Sequence, residues 1–399
     1  MTDFTIKIKR GGIKIDKRVF LSLLDLSPIK DYTDYIKAVE SNEITISDLK
    51  ILAQRADVPY PLFFAPKEKV DAQLKDTRKN LFEKLPTKSE MQLALRGEAS
   101  VADIEIIVKD IGRKQEFLKR RVLPASGDNP YIGSISKLIK KGLSKKDIAE
   151  QVRSYFGINL VEMRKLSKDD VLSYICKKAE EKEIFISMSS YNYMPQNLDS
   201  NLGLSGLCVR DKKVPYIFVN TRDGDDKPKI LETSGRQILT VISMLVCIGI
   251  NKFLLSTKTG KSSNTDYKRI YSIASEILIP TSELNVIKIN SLSDLTSWAR
   301  VLKVTPSMLL ICLVNAGKIS RKLANSYLEN LRDATKEVKP KRRQALPING
   351  YKKYNGERFS KEIVSAYKNN KITEGETKNL LFRKGKMDNN LFQEYLSKY

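Results

Sequence analysis

The feature that most constrains this chain is an apolar run from Ile238 to Ile250, broken only by Thr240, Ser243 and Gly249. The run is too short to cross a bilayer, because a spanning helix needs roughly 18 or more consecutive apolar residues. A helix that is apolar on every face has to be covered by other elements on every side. We therefore predict a buried helix at the centre of a layered domain.

The pattern around this helix predicts a small sheet within a largely helical chain. Leu204 to Val209 and Tyr216 to Val219 are strand-like and flank a polar turn, which indicates a hairpin. Most of the remaining chain has apolar residues at three- and four-residue spacing, as amphipathic helices do. The predicted fold class is α+β, predominantly helical. Changes in composition and apolar pattern divide the chain into a helical region at 1–70, a helical connector at 71–185, a small-sheet domain at 186–335, and a basic linker with a C-terminal helical module at 336–399.

The chain contains no histidine among its 399 residues. Imidazole is the commonest metal ligand and the usual proton carrier near neutral pH. Its absence excludes catalytic triads built on histidine and the HExxH zinc helix. The four cysteines have neither CxxC spacing nor disulfide density, which is typical of a reducing compartment. We expect a cytoplasmic protein with no membrane segment.

The chain is strongly basic. It has 71 Lys and Arg against 47 Asp and Glu, a formal net charge of +24. Such an excess favours polyanions, because neutralising phosphates releases counterions, although a lysine-rich surface from a skewed genome gives the same total. The excess is clustered, which favours contact with DNA or RNA. The residues expected to touch phosphates are Lys114, Lys119, Arg120, Arg121, Lys341, Arg342 and Arg343.

The order of elements in the middle of the chain resembles the ImmA/IrrE family of metallopeptidases. There, a strand ending in Val-Asn (here Val219-Asn220) precedes a helix with the pattern R-F-T-x-x-H-E-x-x-H. The corresponding helix here starts at Arg236, and the family's His, Glu and His fall in one of two registers. The first register places Ile242, Ser243 and Val246 at those positions, and the second places Ser243, Met244 and Cys247 there. Neither register provides the paired imidazoles that hold zinc.

Other segments extend the resemblance. The run from Ala274 to Pro280 is similar to the family segment that supplies a third ligand, and Glu276 matches that glutamate. We expect Glu276 to be a residual acidic side chain, solvated or paired, and we expect no cofactor. Residues 295–319 and 350–381 resemble the family's later helices. Residues 42–64 resemble the end of a Cro/repressor helix-turn-helix domain, with a purely structural helical bundle as the alternative.

The resemblance implies a zincin-like small-sheet domain that has lost its peptidase site. An inactive relative would act as a non-catalytic regulatory or antitoxin-like protein of a phage or mobile element. It would bind a protein partner (a repressor, a toxin or another mobile-element protein), nucleic acid, or both. One alternative is a metal-dependent peptidase with a rearranged site around Glu276 and Cys247. Another is a structural or assembly component of a phage complex.

Overall fold

The computed structural model describes residues 3–24, 29, 33–56, 58–84, 99–123, 127–195, 198, 204–221, 233–252, 255–257, 265–336, 346–382 and 388–399. The chain divides into two compact units, residues 1–113 with 195–202 and residues 114–194 with 203–399. The predicted boundaries at residues 70, 185 and 335 do not coincide with this division. The helices after residue 113 and those of the C-terminal module belong to the same unit as the small sheet.

The first unit combines a three-stranded sheet with helices. Its elements are β1 (Asp3–Ile8), β2 (Gly11–Asp16), α1 (Lys17–Leu24), α2 (Thr33–Ser41), β3 (Glu43–Thr45), α3 (Ile46–Ala56), a 3₁₀ turn (Tyr60–Phe64), α4 (Lys67–Lys84) and α5 (Ala99–Phe117), whose last turns enter the second unit. The strand order is β2-β1-β3, with β1 antiparallel to β2 and parallel to β3. The expectation that this region is helical throughout is therefore wrong. Phe4 and Ile6 alternate with more exposed neighbours and are completely buried, which is the two-residue period of a strand.

The spacing of Leu49, Leu52, Ala53 and Ala56 predicts a helix with these residues on one face, and Ser47 or Thr45 as its N-cap. In helix α3 this predicted apolar face is buried. The Thr45 hydroxyl caps the helix by accepting the Asp48 backbone N–H at 3.1 Å, so Thr45 rather than Ser47 is the cap.

The second unit contains a four-stranded sheet and fourteen described helices. Its strands are β4 (Phe185–Met188), β5 (Leu204–Val209), β6 (Tyr216–Val219) and β7 (Leu255–Thr257). Its helices are α6 (Ser134–Lys140), α7 (Lys145–Phe156), α8 (Leu160–Lys165), α9 (Lys168–Glu180), α10 (Ser234–Ile250), α11 (Thr265–Leu278), α12 (Thr281–Leu284), α13 (Leu292–Val301), α14 (Pro306–Asn315), α15 (Arg321–Lys336), α16 (Pro347–Asn355), α17 (Glu357–Lys368), α18 (Glu374–Leu381) and α19 (Asn389–Ser397). The fold class α+β, predominantly helical, is confirmed. In the described part of the C-terminal module there are four helices, α16 to α19.

The predicted hairpin is confirmed as β5 and β6, which pair antiparallel with Leu207 opposite Phe218. The sheet order is β4-β6-β5-β7, with β4 parallel to β6 and β7 antiparallel to β5. Every residue of β5 and β6 is buried. Strands without an exposed face have continuous apolar sequences, which explains the pattern of these two strands.

The buried helix is also confirmed. Helix α10 packs against α9, α11 and strand β5, and all of its residues from Thr240 to Gly249 are buried. Gly206 allows the close approach of helix and sheet, since a Cβ there would lie 2.7 Å from the Thr240 methyl group and 2.9 Å from the Phe218 carbonyl oxygen. Among the described helices, no single one is long and apolar enough to cross a membrane, although α13 and α14 pass that test as a pair bent by 101°.

Candidate functional site

The middle of helix α10 is where the sequence places the peptidase-like site, and there it forms closed core. In the first register Ile242 and Val246 have no exposed surface, and Ser243 is 1% exposed. In the second register Met244 is 2% exposed and Cys247 has no exposed surface. Both registers therefore place their side chains in the hydrophobic core, among residues of α7, α9, α11 and the sheet. The described residues around α10 close these positions to solvent.

The sulfur atoms near α10 are held in an apolar setting. Cys208 on β5 lies with its Sγ 3.4 Å from both the backbone oxygen and the Sδ of Met244. Burial, together with its hydrogen bond to Cys247, raises the pKa of the Cys208 thiol well above its ordinary value. Metal binding and nucleophilic attack both require the thiolate. The thiol of Cys208 is accordingly kept protonated and acts as a small core side chain.

Glu276 on α11 has a structural role. Its side chain is buried, with 3% exposure for the residue. Its carboxylate accepts the Thr281 backbone N–H at 2.8 Å and the Thr281 hydroxyl at 2.6 Å, and Lys145 lies 3.6 Å away. Pro280 precedes Thr281 and provides no side-chain cap for α12. Glu276 supplies that cap from the preceding helix, so it is paired, as expected, but not solvated.

The described residues contain no group of three or more Cys, Asp or Glu side chains that could hold a metal ion. The Ser243 hydroxyl, which occupies a family ligand or catalytic position in both registers, is buried and has no hydrogen-bond partner among the described residues. A buried hydroxyl without a partner costs free energy relative to an apolar side chain of the same shape. The described residues around α10 therefore supply no set of three such metal ligands.

The basic residues expected at phosphates have different surroundings. Lys114 is 1% exposed, and its ammonium lies 4.0 Å from the centroid of the Tyr354 ring and 5.2 Å from that of Phe359. A buried cation over aromatic faces is stabilised by the ring quadrupoles. This burial is incompatible with a phosphate contact, and the prediction for Lys114 is wrong.

The π-helical turn at Leu118–Val122 carries the next three predicted residues. The Lys119 ammonium lies 2.7 Å from Glu116 and 2.8 Å from Asp211. Burial lowers the pKa of Lys119, but its hydrogen bonds to Asp211 and Glu116 outweigh that effect and raise the pKa overall. Its charge is thereby committed to two carboxylates.

Arg120 and Arg121 on the same turn are exposed. The Arg120 side chain is 78% exposed, and its nearest carboxylate, on Glu116, is 3.9 Å away. Hydrogen bonds from Thr373, and to a smaller extent the charge of Arg121, lower the pKa of Glu376. These two arginines remain available to a polyanion, whereas Lys341, Arg342 and Arg343 lie outside the described residues.

Sequence reasoning missed a denser basic surface at the junction of α6 and α7. Five lysines fall within ten residues there, and all five are exposed. We name this group the lysine corner: Lys137, Lys140, Lys141, Lys145 and Lys146. The density of lysine over 137–146 is visible in the sequence. The same residues also have the apolar periodicity of two amphipathic helices, in which exposed lysines are ordinary.

A buried carboxyl in the second unit was also missed. Glu180 at the end of α9 is 5% exposed, and its Oε2 accepts the Arg358 backbone N–H at 3.1 Å. Its Oε1 has no hydrogen-bond partner among the described residues. Burial raises the pKa of Glu180 to about 7, against the lowering effect of hydrogen bonds from the Arg358 and Ile186 backbones. The sequence gives no signal for this, because α9 ends in a run of ordinary charged residues.

The segment likened to a Cro/repressor domain forms β3, α3 and the 3₁₀ turn that follows. Asn42 has a φ of 55°, and the strand after it pairs Ile44 with Ile6 of β1. The chain between α2 and α3 is thus tied into a sheet, and β1 and β2 occupy the sequence before α1. The exposed positions of α2 include Asp34, Lys37 and Glu40, so acidic side chains outnumber basic ones there.

Comparisons with models of known protein families, with curated proteins and with solved structures found no match.

Proposed function

We propose that this chain is a non-catalytic binding protein, a degenerate relative of ImmA/IrrE peptidases whose zincin-like core has become a scaffold. The observation that carries the proposal is the complete burial of Ile242 and Val246, which the first register aligns with the family's histidines; Cys247, at a histidine position in the second register, is completely buried as well. Aliphatic side chains cannot coordinate a metal, and burying each of them contributes roughly 1.5–3 kcal/mol to folding. The α10 helix then stabilises the domain and has no part in chemistry.

Two further contacts support a scaffold over a rearranged peptidase site. The Glu276 carboxylate accepts hydrogen bonds from the Thr281 N–H and hydroxyl. If the carboxylate turned to a metal or a substrate instead, α12 would lose its cap. Cys247 is completely buried in the same core. A site built on these two residues would need the core to open.

The partner we favour is nucleic acid, bound in the cytoplasm through basic surface residues. The net charge of +24 and the exposed Arg120 and Arg121 support this choice. Regulation within a phage or mobile element, with a repressor or toxin as an additional protein partner, rests on the resemblance alone. Binding a polyanion requires exposed cations but does not require a cleft. A domain whose central helix is completely covered can therefore still bind one.

Metal content tests the scaffold proposal. The full chain would be incubated with zinc or manganese, passed through a desalting column and analysed by mass spectrometry of the elements, with Glu276→Gln as the matched variant. We expect far less than one equivalent of either metal in both proteins. One equivalent in the wild type that disappears in Glu276→Gln would overturn the proposal.

Salt dependence tests the nucleic-acid part. Fluorescence anisotropy with labelled duplex DNA and RNA over a range of salt concentrations should show affinity that falls linearly in a log–log plot. Arg120→Gln combined with Arg121→Gln should weaken binding at low salt. Absence of binding, or affinity indifferent to salt, would contradict nucleic-acid contact.

A further inference from the structure

The lysine corner concentrates positive charge without local compensation. Residues 134–146 contain no acidic side chain. Lys137, Lys140, Lys141 and Lys146 form no ion pair with any residue in the part of the chain that the structure describes, whereas Lys145 lies 3.6 Å from Glu276. The nearest following acid, Asp147, accepts the Ser144 hydroxyl at 2.6 Å in a capping box. Four of the five lysines therefore have no carboxylate within ion-pair distance among the described residues.

Helix stability does not explain this charge. Cations in the last turn of α6 interact favourably with its dipole, which accounts for Lys140 or Lys141 taken singly. Lys137, Lys140 and Lys141 are spaced by three and four residues, so they lie on one helix face and repel each other. Lys145 and Lys146 occupy the first two positions of α7, where the dipole disfavours cations. Three lysines on one face and two at a positive helix end oppose the local electrostatics of both helices.

The corner is rigidly attached to the core. Ile135 and Ile148 are buried on either side of it. The Ser136 hydroxyl donates to the Ile250 carbonyl at 2.7 Å, which ties α6 to the end of α10. Gly142 turns the chain between the helices with a φ of 76°, and Ser144 caps α7. A rigid turn presents charges in a fixed arrangement, which lowers the entropy lost on binding.

The chemistry of the corner indicates the kind of partner. Residues 134–150 contain no aromatic side chain on which an unpaired base could stack, and no arginine to read base edges in a bidentate manner. Lysines act as point charges on phosphates and carry no sequence information. The feature recognised is then a dense row of phosphates, which a duplex supplies at one charge per roughly 1.7 Å of axis.

We infer that the lysine corner is a docking surface for the phosphate backbone of duplex DNA, bound without sequence preference. The inference rests on the nucleic-acid part of the proposed function and adds the surface and the mode of binding. Bound DNA neutralises charges that repel each other in the free protein. Arg120 and Arg121 can add contacts, but the corner supplies most of the affinity.

The test compares two quadruple variants of the full chain. The first is Lys137→Gln, Lys140→Gln, Lys141→Gln and Lys146→Gln, which leaves the Lys145–Glu276 pair intact. The matched control replaces four exposed lysines elsewhere in the same unit by Gln, which removes the same net charge: Lys177, Lys318, Lys322 and Lys361. Circular dichroism and thermal unfolding verify that both variants are folded. Binding is measured by anisotropy with a random-sequence DNA duplex of about 30 base pairs over a salt series.

The corner variant should bind duplex DNA at least about tenfold more weakly at low salt, with the log–log salt slope reduced by up to about 3.6, which is about 0.9 for each of four phosphates that are no longer neutralised. The control variant should stay within about twofold of the wild type, and single-stranded DNA should bind the wild type more weakly than the duplex. Equally weakened binding in the two variants would overturn the inference, because net charge alone would then explain binding. Wild-type binding to anionic vesicles but not to DNA would overturn it as well.

The arginine variant separates the two proposals. Suppose that the wild type and the corner variant bind DNA equally well, and that the Arg120/Arg121 variant does not bind. The proposed docking surface is then wrong, while nucleic-acid binding stands. If the wild type binds neither DNA nor RNA, both fail. Duplex RNA bound more tightly than duplex DNA would reject DNA as the partner while keeping nucleic-acid binding.

Discussion

The centre of helix α10 and the lysine corner differ in where they place charge: the first is apolar and buried, and the second is charged and exposed. At the centre of α10, the first register of the resemblance places Ile242 and Val246 where the resembled family has histidine ligands, and both are completely buried. The lysine corner lies just before buried Ile148 in the sequence. Four of its exposed lysines have no ion-pair partner in the described chain. The core carries no charge at the family's ligand positions, and the surface carries charge that helix stability does not require.

This contrast indicates where function can reside. A sealed apolar helix offers nothing to a substrate, whereas unneutralised surface charge has a free-energy gain available from a polyanion. The same contrast separates substitutions that should unfold the protein from those that should leave folding intact and change binding.

The largest effect is expected from placing a charge in the centre of α10. Ile242→Asp should lower the free energy of unfolding by at least about 4 kcal/mol, because it removes apolar burial and buries an unpaired carboxylate. Ile311→Asp on α14 is the control, since Ile311 is 55% exposed, and it should cost no more than about 0.5 kcal/mol. Urea unfolding followed by circular dichroism measures both. Similar destabilisation in the two variants would remove the distinction between core and surface.

The buried Glu180 should make stability depend on pH. Because its pKa in the folded protein, about 7, lies above the ordinary value of 4.5, the folded state binds the proton more tightly than the unfolded state. The stabilisation by this proton is present at low pH and is lost as pH rises through about 7. Glu180→Gln, which keeps an acceptor for the Arg358 N–H, should stabilise the protein more at pH 8 than at pH 5, by on the order of 3 kcal/mol in that difference. An equal effect of Glu180→Gln at both pH values would show that the carboxyl titrates normally.

Removing the Glu276 side chain should have a smaller effect. Glu276→Ala leaves the Thr281 N–H and hydroxyl without their acceptor and should cost about 1–3 kcal/mol in unfolding free energy. Glu276→Gln should recover part of this stability, because its amide oxygen can still accept the N–H. Glu150→Ala on the exposed side of α7 is the control. If Gln and Ala are equally destabilising while Glu150→Ala has no effect, charge rather than capping explains Glu276.

The smallest effect is expected at Ser243. Ser243→Ala removes a buried hydroxyl that has no partner among the described residues and should raise the unfolding free energy by up to about 1 kcal/mol. Thermal unfolding by calorimetry measures this. Destabilisation by more than about 1 kcal/mol would mean that the hydroxyl makes a stabilising contact.

The sequence predicted elements whose pattern is local. The apolar run of α10, the strand pattern of β5 and β6, and the buried face with its Thr45 cap in α3 all depend on spacing within one segment. The N-terminal strands were missed although β1 alternates polar and apolar residues over Asp3–Ile8, whereas β2 begins with two glycines and has a weak pattern. Their identity depends on the pairing of Ile6 with Ile13 and Ile44, which only the folded chain brings together.

At the candidate site, the sequence shows which residue types stand on α10 in each register but not what surrounds them. The burial of Lys114, the raised pKa of Glu180 and the pairing of Lys119 depend on residues distant in sequence, such as Tyr354, Arg358 and Asp211. The lysine corner was visible as composition, but its lack of ion pairs within the described chain needed the structure.

Hydrogen exchange along α10 tests the central claim most directly. The amides of residues 242–247 would be followed by mass spectrometry of peptides, with and without added zinc, at several denaturant concentrations. If the helix is sealed core, these amides exchange only through global unfolding, with the free energy that urea unfolding gives, and zinc changes nothing. Exchange through a smaller local opening that zinc suppresses would contradict the account, because it would show a metal-responsive cleft where we place closed core.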